Sequence, residues 1–133
     1  MVHIEIRFVR GEHKMSDGDG EVLGSAVSPR NGGLIYFDDE ENWCLDNSHS
    51  SIVCGDTNLL VVAIHELGHA LGLGHSGKTT AIMFKYKVGE VRLDIDDIQA
   101  IQALYGAPGL PRPQHDGMEE MDIDTVILRY FFS

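Results

Sequence analysis

His65 and His69 stand four residues apart inside an apolar run of helical spacing, and His75 follows after Gly72 and Gly74. Residues four apart lie one above the other on a helix face, so a helix here stacks two imidazoles where they can grip one metal ion. Leu60, Val61, Ile64, Leu67 and Leu71 recur at helical spacing along that helix, Asp56 or Thr57 is its expected cap, and Gly72 ends it. With Gly74, the break lets the chain double back and bring in His75 as a third nitrogen. Three neutral imidazoles leave one tetrahedral position open, which is the arrangement of a catalytic zinc site and not of a closed structural one. Any fold open to this chain has to hold these three rings together.

Glu66 is next to a ligand in sequence but lies about 100° round the helix, so it is not expected to bind the same ion. Its expected role is general base. Zinc lowers the pKa of a bound water to about 7 and polarises a carbonyl oxygen, while Glu66 takes the proton and passes it to the leaving amine. That is hydrolysis of a peptide bond without a covalent intermediate, and the chain carries no serine or cysteine nucleophile signature. A bare His-Glu-x-x-His arises by accident in unrelated chains, and a lone buried histidine is more often a satisfied core residue. Gly72 and His75 at the required offsets set this occurrence apart.

The chain of 133 residues is one domain in size, with 43% apolar and 23% charged residues. No apolar run reaches the roughly 20 residues of a membrane helix, and residues 1–10 lack the apolar core of a signal peptide. The protein therefore stays in the cell or is a piece of a longer precursor. A net charge of −11 argues against a nucleic-acid partner, which is bound through clustered Lys and Arg. The acid is concentrated at residues 38–41, 94–97 and 119–124, where it serves solubility or hard cations. Cys44 and Cys54 flank a polar segment. Their spacing permits a disulfide, and with it an oxidising compartment, but it fits a pair of free thiols as well.

Val2, Ile4, Ile6 and Phe8 alternate with polar residues and predict a strand with one buried face. Residues 11–20 read as loop, residues 22–27 and 34–37 as two further strands, and residues 38–56 as polar and irregular, anchored by Trp43. A second helix is expected over 94–105, with Ile95, Ile98, Ile101, Leu104 and Tyr105 on one face and Gly106 past its end. Pro108, Pro111 and Pro113 then end the domain at residue 106. A stiff linker is expected over 107–120, followed by a short segment, 121–133.

The stretch from His65 through His75 to Ser76 resembles the matrixin signature. Residues 37–43, 57–60 and 96–106 agree with that family, so the resemblance covers residues 1–106. It implies an α+β metzincin fold: a twisted, mostly parallel sheet with an antiparallel edge strand, an active-site helix and a C-terminal helix. Met83 falls where the family's Met-turn lies beneath the metal. An extended polypeptide would add to the edge strand at Val22, Leu23, Gly24, Ser25 and Ala26. The S1′ pocket would be walled by the segment after Met83, where Tyr86 is kept and the family's frequent proline is replaced.

The resemblance also implies one structural calcium, held by Asp17, Gly18, Gly20 and Val22 together with Asp38 and Glu41. The family's second, structural zinc is expected to be absent, since only His13 remains and Ser25 and Tyr36 stand where two other histidines would be. Asp96 and Asp97 match an acidic pair of the family, but ordinary acidity at a helix N-terminus accounts for them. The family's opening strand and helix would precede Met1, and residues 121–133 faintly resemble the start of a hemopexin-like repeat. The expected protein is a secreted or cell-surface zinc endopeptidase acting on extracellular matrix proteins, with a protein inhibitor and a membrane anchor left open. The competing readings are a catalytically silent zinc-binding fragment or binding module, and an intracellular metalloprotease with Cys44 and Cys54 reduced.

Overall fold

The computed structural model describes residues 4–10, 22–31, 33–45, 57–86 and 91–107. Asp17, Gly18, Gly20, Cys54 and the segments at 108–120 and 121–133 lie outside the described residues.

Three strands form the sheet: β1 (Glu5–Val9), β2 (Gly24–Ala26) and β3 (Leu34–Asp38), in the order β1-β3-β2. β1 runs parallel to β3, with Ile6 opposite Ile35 and Phe8 opposite Phe37. β2 runs antiparallel to β3, with Ser25 opposite Tyr36. The sheet is thus mixed, with the antiparallel strand at one edge, as expected. β2 is shorter than the 22–27 read from sequence. Backbone bonds from Val27 N to Leu34 O and from Asp38 N to Leu23 O nevertheless carry the ladder one residue further at each end.

Strand β3 alternates strictly: Ile35 and Phe37 are buried, while Leu34, Tyr36 and Asp38 are half-buried. The two buried side chains face α1 (Leu59–Ala70), where Ala70 joins their cluster and Val62, Ala63 and Leu67 pack against it. Each such side chain contributes about 1.5–3 kcal/mol on burial, enough to fix the helix on the sheet. A second cluster adjoins it, and Ile4 and Leu67 touch both. Val61 and Leu71 meet Leu73, Ile82 and Met83 from the following loop and Ile101 from α2 (Ile95–Tyr105). Tyr105 donates its hydroxyl to the Leu71 carbonyl at 2.6 Å, tying the end of α2 to the end of α1. None of the described helices is long and apolar enough to cross a membrane.

The structure departs from the sequence reading at four further places. Ile6 and Phe8 of β1, expected on a buried face, are 58% and 50% exposed, because α1 packs mainly across β2 and β3. The cap of α1 is Asn58, whose side chain accepts from Leu60 N and Val61 N; Asn58 also ends the short strand β5 (Thr57–Asn58), parallel to β4 (Trp43–Cys44), so the helix starts after it. That pair gives order to a segment read as irregular, helped by Trp43, which donates to the Asp38 carbonyl and meets Phe37 edge to face. On α2 the apolar face is narrower than expected. Ile101 is buried, but Ile95 is 56% and Leu104 is 36% exposed. Cys44 is buried and disulfide-bonded.

Candidate metal centre

α1 ends in a Schellman turn: Leu73 N bonds to Gly68 O at 2.9 Å and Gly72 N to His69 O at 2.9 Å. Gly72 takes a φ of 100°, a conformation that side-chain-bearing residues rarely adopt. The turn drops Leu73 into the core and sends the chain back past the helix, so that His75 arrives beside His65 and His69. His65 is the most buried of the three rings and His75 the most exposed.

Their tautomers follow from their partners. His65 Nδ1 lies 2.8 Å from the Ile82 carbonyl and His69 Nδ1 lies 2.8 Å from the Leu73 carbonyl. A carbonyl only accepts, so both Nδ1 atoms carry the proton and both Nε2 atoms present a lone pair. His69 Nε2 is 3.1 Å from the Nε2 of His65 and 3.1 Å from that of His75. Lone pairs this close repel unless a cation sits among them. Metal–nitrogen bonds of about 2.0–2.1 Å in a tetrahedron put nitrogens roughly 3.3–3.4 Å apart, so the residues present fit zinc. Burial, first, and the neighbouring His69 and His75 hold the His65 pKa below the usual imidazole range, against the pull of the Ile82 carbonyl. The neutral, metal-ligating form is the favoured one. Among the described residues these three histidines are the cluster able to hold a metal.

Glu66 is 7% exposed and lies against β2, where a Cβ added to Gly24 would come within 3.2 Å of Glu66 Cγ. The expected substrate strand and the expected base are therefore adjacent. Met83 is buried against the last turn of α1, where a Cβ on Gly68 would collide with its sulfur. Gly68→Ala therefore removes a helix-weakening glycine and still should destabilise the protein, by about 1–3 kcal/mol. Thermal denaturation checks this; a raised melting temperature would contradict the packing.

The remaining expected residues are more dispersed. Val22 and Leu23 lead into β2, and Tyr86 is 65% exposed, edge-on to Phe84 with the Lys85 ammonium 5.4 Å from its ring centre. Asp38 accepts from Glu40 N at 2.8 Å through its side chain, and Glu41 follows in the same turn. Sequence reasoning missed the carbonyls of Ile82 and Leu73, which orient two of the rings and carry no side-chain signal. It also missed the close approach at Gly68, for which a glycine inside a strong helix is the available sign.

A helix bearing two histidines, a turn that returns a third, and a buried methionine packed against that helix beside a mixed sheet are the arrangement of a metzincin. The sequence profile of the matrixin family matches residues 1–106, and the chain belongs to that family. It is 45% identical over 115 residues to stromelysin-1 of Mus musculus, covering 79% of this chain and 23% of that protein. The hatching enzyme of Paracentrotus lividus is 45% identical over 112 residues, 80% of this chain and 18% of its own. Interstitial collagenase of Sus scrofa is 43% identical over 110 residues, 77% of this chain and 22% of its own. The chain thus spans about a quarter or less of the length of these relatives.

Proposed function

We propose that the chain is the catalytic part of a zinc-dependent endopeptidase, on the strength of one observation: three histidine Nε2 atoms converge while carbonyls hold two of the rings in the metal-ligating tautomer. His65, His69 and His75 would hold one zinc, which when bound supplies Lewis acidity and a water acidic enough to lose its proton near neutral pH. Glu66 takes a proton from water and returns it to the leaving nitrogen. Its burial beside β2 favours proton transfer by keeping bulk water away. Residues 22–26 receive the substrate as an added strand, since β2 closes one end of the described sheet. Tyr86 and its neighbours border the side-chain pocket.

One calcium ion, held by Asp17, Gly18, Gly20, Val22, Asp38 and Glu41, would brace the loop ahead of β2 against the turn after β3. Residues 107–120 act as linker and 121–133 as the start of a hemopexin-like repeat. The disulfide at Cys44 supports a secreted or cell-surface location, where the substrates would be matrix proteins, and Cys54 is the other cysteine of the sequence. The second reading, a silent zinc-binding fragment, draws support from the exposure of Ile6 and Phe8 on a three-stranded sheet.

The test is hydrolysis of a quenched-fluorescent peptide library by the full chain with zinc and calcium, together with metal analysis. One zinc per chain with cleavage supports the endopeptidase. One zinc without cleavage favours the silent fragment, and no zinc defeats both.

A further inference from the structure

β1 ends the described sheet, and among the described residues no strand lies on its outer side. Successive residues of a strand turn their backbone groups to opposite edges. Glu5 N donates to the Gly33 carbonyl at 3.0 Å and Asp39 N to the Val9 carbonyl at 2.9 Å, so Glu5, Arg7 and Val9 face β3. The backbone groups of Ile4, Ile6 and Phe8 therefore point out of the sheet edge. The side chains divide in the same way. Ile6 and Phe8 are exposed on the face that carries α1, with the Phe8 ring 5.3 Å from that of Phe37. Glu5 and Arg7 stand on the opposite face, where Arg7 Nε donates to Glu5 Oε1 at 2.7 Å.

We propose that β1 is a dimerisation edge, pairing antiparallel with β1 of a second copy about a two-fold axis through Ile6. Backbone direction and charge together choose this register. Residues whose backbone groups point outward are the ones able to exchange bonds, and with the axis at Ile6 they meet: Ile6 opposite Ile6, and Ile4 opposite Phe8. Glu5 of each copy then stands opposite Arg7 of the other, at the non-hydrogen-bonded position where side chains come closest. Moving the axis to Arg7 keeps the bonds but sets Arg7 against Arg7, and an axis at Ile4 or Phe8 separates Glu5 from Arg7. Charges on an edge strand ordinarily guard it against other chains. In this register they attract. On the α1 face the same pairing lays Ile4, Ile6 and Phe8 of both copies side by side and takes apolar surface out of water. A two-fold contact of this kind is closed at two copies, and β2, at the other end of the sheet, stays open. The inference is independent of whether the three histidines hold a metal.

So short a strand pair buries less than a standard interface, and a dissociation constant on the order of 10 µM is expected. Sedimentation of the full chain below and above that concentration should show monomer passing to dimer. Amide exchange at Ile6 and Phe8 should slow as concentration rises, while that at Arg7, which faces β3, stays constant. Glu5→Arg and Arg7→Glu alter exposed side chains and leave the core alone, and each should weaken the dimer about tenfold by setting like charges opposite one another. Mixing the two variants should restore it, because every charge on one then meets its opposite on the other. A dimer indifferent to both substitutions, or a mixture no tighter than its components, overturns the proposal. A chain that stays monomeric well above that concentration overturns it too, and slow exchange at Ile6 and Phe8 in that monomer would mark another stretch of the same chain as the occupant of the edge.

Discussion

Glu66→Gln should leave zinc bound at one per chain and lower the rate of peptide hydrolysis by about two to four orders of magnitude. Glutamine keeps the length and shape of the side chain, so the packing against β2 at Gly24 is retained. What it loses is the lone pair basic enough to take a proton from water. Glu66 does not belong to the converging histidine cluster, so metal content should be indifferent to the change. Metal analysis and a fluorogenic peptide assay on the same preparation check both halves. Full activity with the metal retained would remove Glu66 from the role of base, and loss of metal would place it among the ligands.

His69→Ala should weaken metal binding by about a hundredfold and abolish hydrolysis. His69 is the central ring of the three, with its Nε2 3.1 Å from each of the other two. Zinc sites stabilise their folded state by roughly 10 kcal/mol or more, and an even share among three ligands is about 3 kcal/mol, roughly a hundredfold in affinity. The substitution also strands the Leu73 carbonyl, which loses the Nδ1 proton it accepts in the turn after α1. Competition with a chelator reads the affinity directly. A variant that binds within a few-fold of the parent would show that the convergence of the three rings is not what holds the metal.

The site was more legible than the fold around it, and the reason is geometric. Two histidines at helical spacing and a glycine stop before a third leave little freedom, and His65, His69 and His75 converge as that pattern requires. Period-2 patterning in β1 is a weaker statement. It says that Ile6 and Phe8 share a face, and it says nothing about what covers that face, which is where the expectation failed. The cap of α1 was misplaced because Thr57 and Asn58 are both good caps, and where the helix begins is set by the end of a strand pair with Trp43 and Cys44, distant in sequence. Asp97 was read as routine acidity of a helix start. Its bonds to Ile82 and Met83 depend on a chain fold that local composition does not encode.

The two apolar clusters that pack on α1 adjoin each other, and Ile4 and Leu67 touch both. The loop from Leu73 to Met83 and the start of α2, which hold the metal-ligating rings, belong to one cluster; β3, with β2 beside it against Glu66, belongs to the other. With Ile4 and Leu67 common to both, any loosening of the sheet reaches the packing around the loop that returns His75 as well as the strand beside Glu66.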